Sequence, residues 1–169
     1  VFNGFEEGSK ARGIARIDYT GSEFVDNIDG GIGNDTFRGA GGDDDFNGGD
    51  GNDSIIGGGG ADGLSGGEGN DTIIGGAGDI IFGLGGNDSI EAGGTSALGG
   101  DDNDTITGGA SDEYYEGNDG NDLIRGLGGA DILAGGVGRD FLEGGAGGDI
   151  IAGNAGIDEV SYENSGARV

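Results

Sequence analysis

Across most of the chain one apolar side chain recurs every nine residues, set between glycine-rich polar stretches. Cut at Gly30, the sequence reads GGIGNDTFR (30–38), GAGGDDDFN (39–47), GGDGNDSII (48–56), GGGGADGLS (57–65) and GGEGNDTII (66–74). GGAGDIIF (75–82) is one residue short, GLGGNDSIE (83–91) restores the period, and six more units fill 108–161. A degenerate unit, GSEFVDNID (21–29), comes first. The eighth position is apolar in all 15 units, from Ile28 and Phe37 through Ile106 and Tyr115 to Ile151 and Val160. One inward residue between two outward ones predicts a very short strand at positions seven to nine. The glycine-rich first six positions predict a turn with left-handed residues. Two units, 18 residues, then make one coil of a flattened solenoid, whose two sheets meet in a single apolar layer.

The stretch AGGTSALGGDDNDTIT (92–107) admits two alignments. The simpler is one unit with Thr95–Asp101 inserted in its turn; the other is a clean unit from Gly99 preceded by a linker, 92–98. The simpler reading gives a roll over 21–161 with an irregular insert at about 92–101, a flanking cap at 1–20 and the start of a capping strand at 162–169.

The sixth position carries a carboxylate in every unit: Asp26, Asp35, Asp44, Asp53, Asp62, Asp71, Asp79, Asp88, Asp104, Glu113, Asp122, Asp131, Asp140, Asp149 and Asp158. Of the 23 Asp residues, 14 stand at this one position, so it is under a chemical constraint. Stacking coils at about 4.8 Å aligns these carboxylates in two columns, where they repel.

Composition sharpens the problem. The chain has 169 residues, 48 Gly, 33 acidic against 7 basic side chains, and a net charge of -26. Such a charge excludes a nucleic-acid partner and an anionic membrane surface. No apolar run approaches the roughly 20 residues of a membrane-spanning helix, so direct membrane insertion is not expected. Without Cys or His there is no disulfide, thiolate zinc site or His-based catalysis, and no enzyme activity is expected of this segment. One apolar side chain per nine residues contributes about 2 kcal/mol on burial, well short of the entropy of ordering nine residues. A hard divalent cation supplies what is missing. Calcium takes six to eight oxygens from carboxylates and carbonyls, and a glycine-rich turn exposes its carbonyls.

The units resemble the GGxGxDxUx nonapeptides of RTX (repeats-in-toxin) proteins, over about residues 21–161. The resemblance implies an all-β, right-handed parallel β-roll that binds several calcium ions between turns n and n+2. The implied ligands are the carboxylates of Asp35, Asp44, Asp53, Asp62, Asp71, Asp79, Asp88, Asp104, Asp122, Asp131, Asp140, Asp149 and Asp158. Carbonyls of positions one to four complete the set, among them those of Gly30, Gly33, Gly48, Gly51, Gly66, Gly69, Gly117, Gly120, Gly135 and Gly138. Fifteen units allow up to 13 inter-turn sites. Seven join intact turns: Asp35/Asp53, Asp53/Asp71, Asp71/Asp88, Asp44/Asp62, Asp122/Asp140, Asp140/Asp158 and Asp131/Asp149. The resemblance also implies a secreted, extracellular module that folds on meeting calcium, part of a larger bacterial-type protein. Other readings are a roll supporting a secreted protease, lipase or epimerase, or an adhesin segment facing a polysaccharide, a cell surface or ice.

Other motifs dissolve into the repeat. Gly63-Leu64-Ser65-Gly66-Gly67 fits GxSxG, but Ser65 is position nine of a unit and there is no His to activate it. The N-D-[ST] strings at Asn34, Asn52, Asn70, Asn87 and Asn103 are likewise products of the period. Three irregularities crowd into 92–116: the insert, Asp102 in place of Gly, and Glu113 in place of Asp. They predict a weak point at which the two halves of the rod decouple.

Overall fold

The computed structural model describes residues 16–94 and 96–162. Seventeen strands follow one another in chain order: β1 (Asp18–Thr20), β2 (Asn27–Asp29), β3 (Thr36–Gly41), β4 (Asp45–Asp50), β5 (Ser54–Gly59), β6 (Gly63–Glu68), β7 (Thr72–Ile74), β8 (Ile80–Gly85) and β9 (Ser89–Glu91). The rest are β10 (Ser96–Asp101), β11 (Thr105–Thr107), β12 (Tyr114–Gly120), β13 (Leu123–Gly128), β14 (Ile132–Gly138), β15 (Phe141–Ala146), β16 (Ile150–Gly156) and β17 (Glu159–Ser161). Odd strands form a nine-stranded sheet and even strands an eight-stranded one, each in strict order. All pairing is parallel, so the chain winds as a parallel β-roll of about eight turns. No helix among the described residues is long and apolar enough to cross a membrane.

The alternation of the nine-residue unit explains this winding. Position eight points inward from each strand, and Phe37, Phe46, Ile55, Ile73, Ile81, Ile106, Ile124, Leu133 and Leu142 are fully buried. Tyr115 occupies the same slot. Phe37 and Phe46 stack across the core with ring centroids 5.6 Å apart, so the apolar layer is one side chain from each sheet. Positions seven and nine face out.

Two features depart from the sequence reading. Most strands run six or seven residues, because the chain stays extended through positions one to three of the next unit. Gly39 and Gly57 lie in this extension, where a glycine backbone can pair as a strand without a side chain. Left-handed residues stand at positions two and four, apart from Gly94 in the short unit 92–98, and several at position two are not glycine, such as Ala40 (φ 80°), Leu84 (φ 84°) and Leu127 (φ 72°).

The second departure is at 92–107, where the alignment with a clean unit from Gly99 holds but 92–98 is not a linker. Ser96–Asp101 is strand β10, paired between β8 and β12 with Ala97 opposite Ile81 and Tyr115. Ala97 is buried in the inward slot. The seven residues 92–98 are thus a half-coil, and Gly99 starts a regular unit. The roll has sixteen units across 21–161, not fifteen, and both sheets pass through this region without a break. At the start, β1 joins the odd sheet beside β3, with Arg38 paired to Asp18 at 3.4 Å. The remainder of the expected cap, with Lys10 and Arg12, and residues 163–169 lie outside the described residues.

The single-layer core makes a direct prediction. Ile55→Ala should cost about 2–5 kcal/mol, whereas Ile74→Ala, on the exposed face, should stay within about 0.5 kcal/mol. Denaturant unfolding in saturating calcium measures both.

Candidate metal centre

Each sixth-position carboxylate stands at the end of its turn, just before a strand begins. Except at Asp26 and Glu113, its Oδ1 accepts the backbone N–H of the matching residue one coil earlier. Asp53 takes the N–H of Asp35 at 2.6 Å, Asp71 that of Asp53 at 2.7 Å, and Asp88 that of Asp71 at 2.8 Å. Asp104 takes that of Asp88, Asp122 that of Asp104, Asp140 that of Asp122 and Asp158 that of Asp140, at 2.8–3.2 Å. One edge of the roll therefore carries an unbroken column: Asp35, Asp53, Asp71, Asp88, Asp104, Asp122, Asp140 and Asp158.

On the opposite edge the column is interrupted. Asp26, Asp44, Asp62 and Asp79 form one ladder, and Glu113, Asp131 and Asp149 form another. Between them lies the unit 92–98, which has no carboxylate. Counting 92–107 as one unit would have paired Asp79 with Asp104 and Asp88 with Glu113. The half-coil 92–98 shifts the parity instead, so Asp88 meets Asp104 directly. All seven stacks between intact turns are present as carboxylate pairs.

The second carboxylate oxygen has a different environment. Oδ2 of Asp35, Asp44, Asp53, Asp62, Asp71, Asp88, Asp104, Asp122, Asp131 and Asp140 is buried and has no hydrogen-bond partner. An ionised oxygen left so costs far more than the fold can bear. Each points into the space left by the missing side chain of the first-position glycine of its own unit. A methyl on Gly30 would overlap both Asp35 Oδ2 and the carbonyl oxygen of Gly48, one coil on. The same pair of oxygens, a carboxylate and the next coil's carbonyl, converges at Gly39, Gly48, Gly66, Gly83, Gly99, Gly117, Gly126 and Gly135. Of the ten orphaned oxygens, Asp62 Oδ2 lacks this carbonyl and faces Asp79 Oδ2 instead. That leaves nine complete cradles, which glycine alone leaves open.

Of the named carbonyls in the expected ligand set, those of Gly48, Gly66, Gly117 and Gly135 enter a cradle, and so do those of Gly57, Gly83, Gly99, Gly144 and Gly153, also at position one, whereas Gly30 opens a cradle without lending its carbonyl to one. The carbonyls of Gly33, Gly51, Gly69, Gly120 and Gly138, at position four, are not among those beside the orphaned Oδ2 atoms. These glycines stack on one another so closely that a methyl on Gly51 would overlap the carbonyl of Gly33, and one on Gly138 that of Gly120. Asp149 and Asp158 lie in the last coil and carry no carbonyl of a following coil in their cradles. Asp79 is placed in the column, but its Oδ2 accepts the N–H of Gly76 at 2.6 Å.

No three Asp, Glu, His or Cys side chains converge among the described residues. Each stack instead offers two carboxylates and backbone carbonyls, the hard oxygen set that suits calcium and not a thiolate or imidazole metal. Burial, and behind it the neighbouring carboxylates, pushes Asp71 and Asp122 up to about 6, Asp88 to about 7 and Asp104 to about 8. Such shifts mark anions that lack a countercharge.

The sequence model of the RTX calcium-binding nonapeptide repeat matches residues 20–55, 47–79, 56–90, 75–96, 95–124 and 125–160. The chain belongs to the RTX calcium-binding nonapeptide repeat family. Among curated proteins and among solved structures there is no match. RTX repeats bind calcium, and the buried, stacked Asp residues of this RTX roll fit that chemistry. A repeat solenoid of this kind is a structural fold, and Ser65 of the GxSxG string lies within strand β6.

The raised carboxylates set the pH response of the metal-free RTX chain. Groups raised in the folded state stabilise it fully below their unfolded value near 4, and that stability is lost as pH climbs through the folded values of about 6 to 8. Calcium-free protein should therefore hold more β-structure at pH 4.5 than at pH 8, as read by far-UV circular dichroism. A flat profile would contradict the buried columns.

Proposed function

We propose that this RTX roll is a calcium-triggered folding module of a larger secreted protein, with its ions held in the nine complete cradles. The observation that carries the reading is the alignment of orphaned, buried Oδ2 atoms in two columns. The sites are the seven stacks between intact turns together with Asp88/Asp104 and Asp104/Asp122. Each cation would meet a carboxylate oxygen that has no other partner and would cancel the repulsion within a column. Metal affinity is then folding free energy, because the unfolded chain has no preformed cradle. Open extracellular calcium modules work at about 10⁻⁴–10⁻³ M, so the chain would stay unfolded at the far lower calcium of a cytoplasm and fold after export. Folding after export supports an extracellular location and a role as a scaffold for the rest of its parent chain.

Far-UV circular dichroism tests this directly. β-Structure should rise cooperatively as calcium is added and vanish with chelator. Magnesium should substitute poorly, because it demands small, near-ideal octahedral sites and holds its water. Asp104→Asn removes a shared carboxylate from two adjacent cradles and should raise the calcium midpoint several-fold. Asp43→Asn, at an exposed turn position, should leave it unchanged. A chain equally folded in excess chelator at pH 8 would sink the reading.

A further inference from the structure

Three successive turns in the middle of one edge of the roll differ from the intact turns on either side of them. They precede β8, β10 and β12 and cover 75–79, 92–94 and 108–113. In each, the strand leading in stops early: β7, β9 and β11 end at position nine, and only single backbone bonds such as Gly75 N–H to Glu91 and Gly108 N–H to Arg125 follow. On the opposite edge, at the same level of the rod, β8, β10 and β12 run on through position three. The three turns also lack an orphaned carboxylate oxygen. Asp79 Oδ2 is taken by the N–H of Gly76, and 92–98 brings no acid.

The last of the three is the most altered. Glu113 is one methylene longer than Asp, and its carboxylate folds back over its own turn. Oε2 accepts the N–H of Gly109 at 3.1 Å and Oε1 that of Ser111 at 3.3 Å. The cradle at Gly108 is filled from inside. A methyl there would stand 2.8 Å from the Tyr115 hydroxyl and 2.7 Å from its ring edge, with the Gly126 carbonyl oxygen on the other side. Tyr115 is wholly buried, opposite the small Ala97, and its hydroxyl is turned toward the Glu113 carboxylate without closing a hydrogen bond of normal geometry. The phenol oxygen thus lies where Asp Oδ2 lies in an intact unit. The coil before it, 92–98, has no carboxylate to repel Glu113.

We propose that the 108–116 turn closes without a cation, Glu113 and Tyr115 together taking the place that an ion holds elsewhere in the roll. The inference rests on the calcium reading above and specifies where it stops. One edge then carries ions along its whole length. The other carries them only in two separate groups, at Asp44/Asp62 and at Asp131/Asp149. The centre of that edge is held by protein hydrogen bonds and the Tyr115 ring alone.

Anomalous diffraction from the calcium-loaded protein, collected near the calcium edge, tests the wild-type chain. Peaks are expected at Asp71/Asp88, Asp88/Asp104 and Asp104/Asp122, and none between turns 108–113 and 126–131. A peak beside the Tyr115 hydroxyl or Glu113 overturns the proposal. Native mass spectrometry supplies a second readout. Glu113→Gln should leave the number of bound calcium ions unchanged, and a loss of one ion overturns the proposal. Glu113→Asp combined with Tyr115→Leu restores the carboxylate and empties the cradle, so one additional ion should bind. No gain in a folded double variant also overturns it. Asp122→Asn is the control for the parent reading: it should lose ions, and if it does not, or if the wild type binds none, the calcium assignment fails rather than this one.

Discussion

A carboxylate with one oxygen paired and the other stranded governs this molecule. From Asp35 onward, Oδ1 of each sixth-position Asp holds the backbone of the preceding coil, which fixes the rise of the solenoid and its register. That bond can form only if the carboxyl is tucked under the turn, and there Oδ2 is cut off from water. The interaction that aligns the coils therefore creates a buried charge, and stacking repeats it once per coil. The apolar layer, one side chain deep, is too thin to absorb such a cost. Coupling of structure to a divalent cation follows from that geometry, and so does the glycine at position one, since any side chain there would fill the space in which the oxygens converge.

The sheets and the edges answer to different rules. Inward packing tolerates Phe, Ile, Leu, Tyr and even Ala97 in one slot, because neighbours of unequal size compensate along the column. Tyr115 beside Ala97 shows this. The edges are less forgiving, since they depend on an exact count of backbone atoms between position one and position six. Where the count or the acid changes, as at 75–79, 92–94 and 108–113, the incoming strand loses its last rungs although the sheet behind it remains continuous.

Much of this was legible in the sequence, because the two constrained positions carry distinct chemistry. Ile, Leu and Phe at position eight gave the inward layer, and the sixth-position Asp gave the columns. The segment 92–98 could be set apart as a linker but not read as a half-coil, because it has neither mark: its inward residue is Ala97 and it lacks the acid. Its signal lay in the asparagines. Asn87 and Asn103 are 16 residues apart, nine plus seven, and Asn103 donates to Asn87 as Asn87 does to Asn70, at 2.8–3.2 Å, which requires a common edge. The length of the strands was hidden for another reason. Glycines at positions one to three read as turn, yet they are extended, because the absent side chain makes room for the carboxylate and leaves the backbone free to pair. The fold of Glu113 back over its own turn depends on one methylene and on the ring behind it, a tertiary matter that no local pattern encodes.

The asparagine ladder has a consequence for how such a chain can change length. Asn34, Asn52, Asn70, Asn87, Asn103 and Asn121 share an edge, each accepting the next coil's N–H, with Arg139 closing the row. Successive units alternate between edges, so deleting or duplicating a single unit would carry every residue beyond it to the opposite side, setting Asn under Asp43 or Ala61 and splitting the row. A change of two units leaves every later residue on its own side. The seven residues 92–98, poor as a repeat in every other respect, count as one unit in this parity. The quantum of growth for such a rod is the full coil, and a shortened unit that preserves parity disturbs it less than a perfect unit inserted alone.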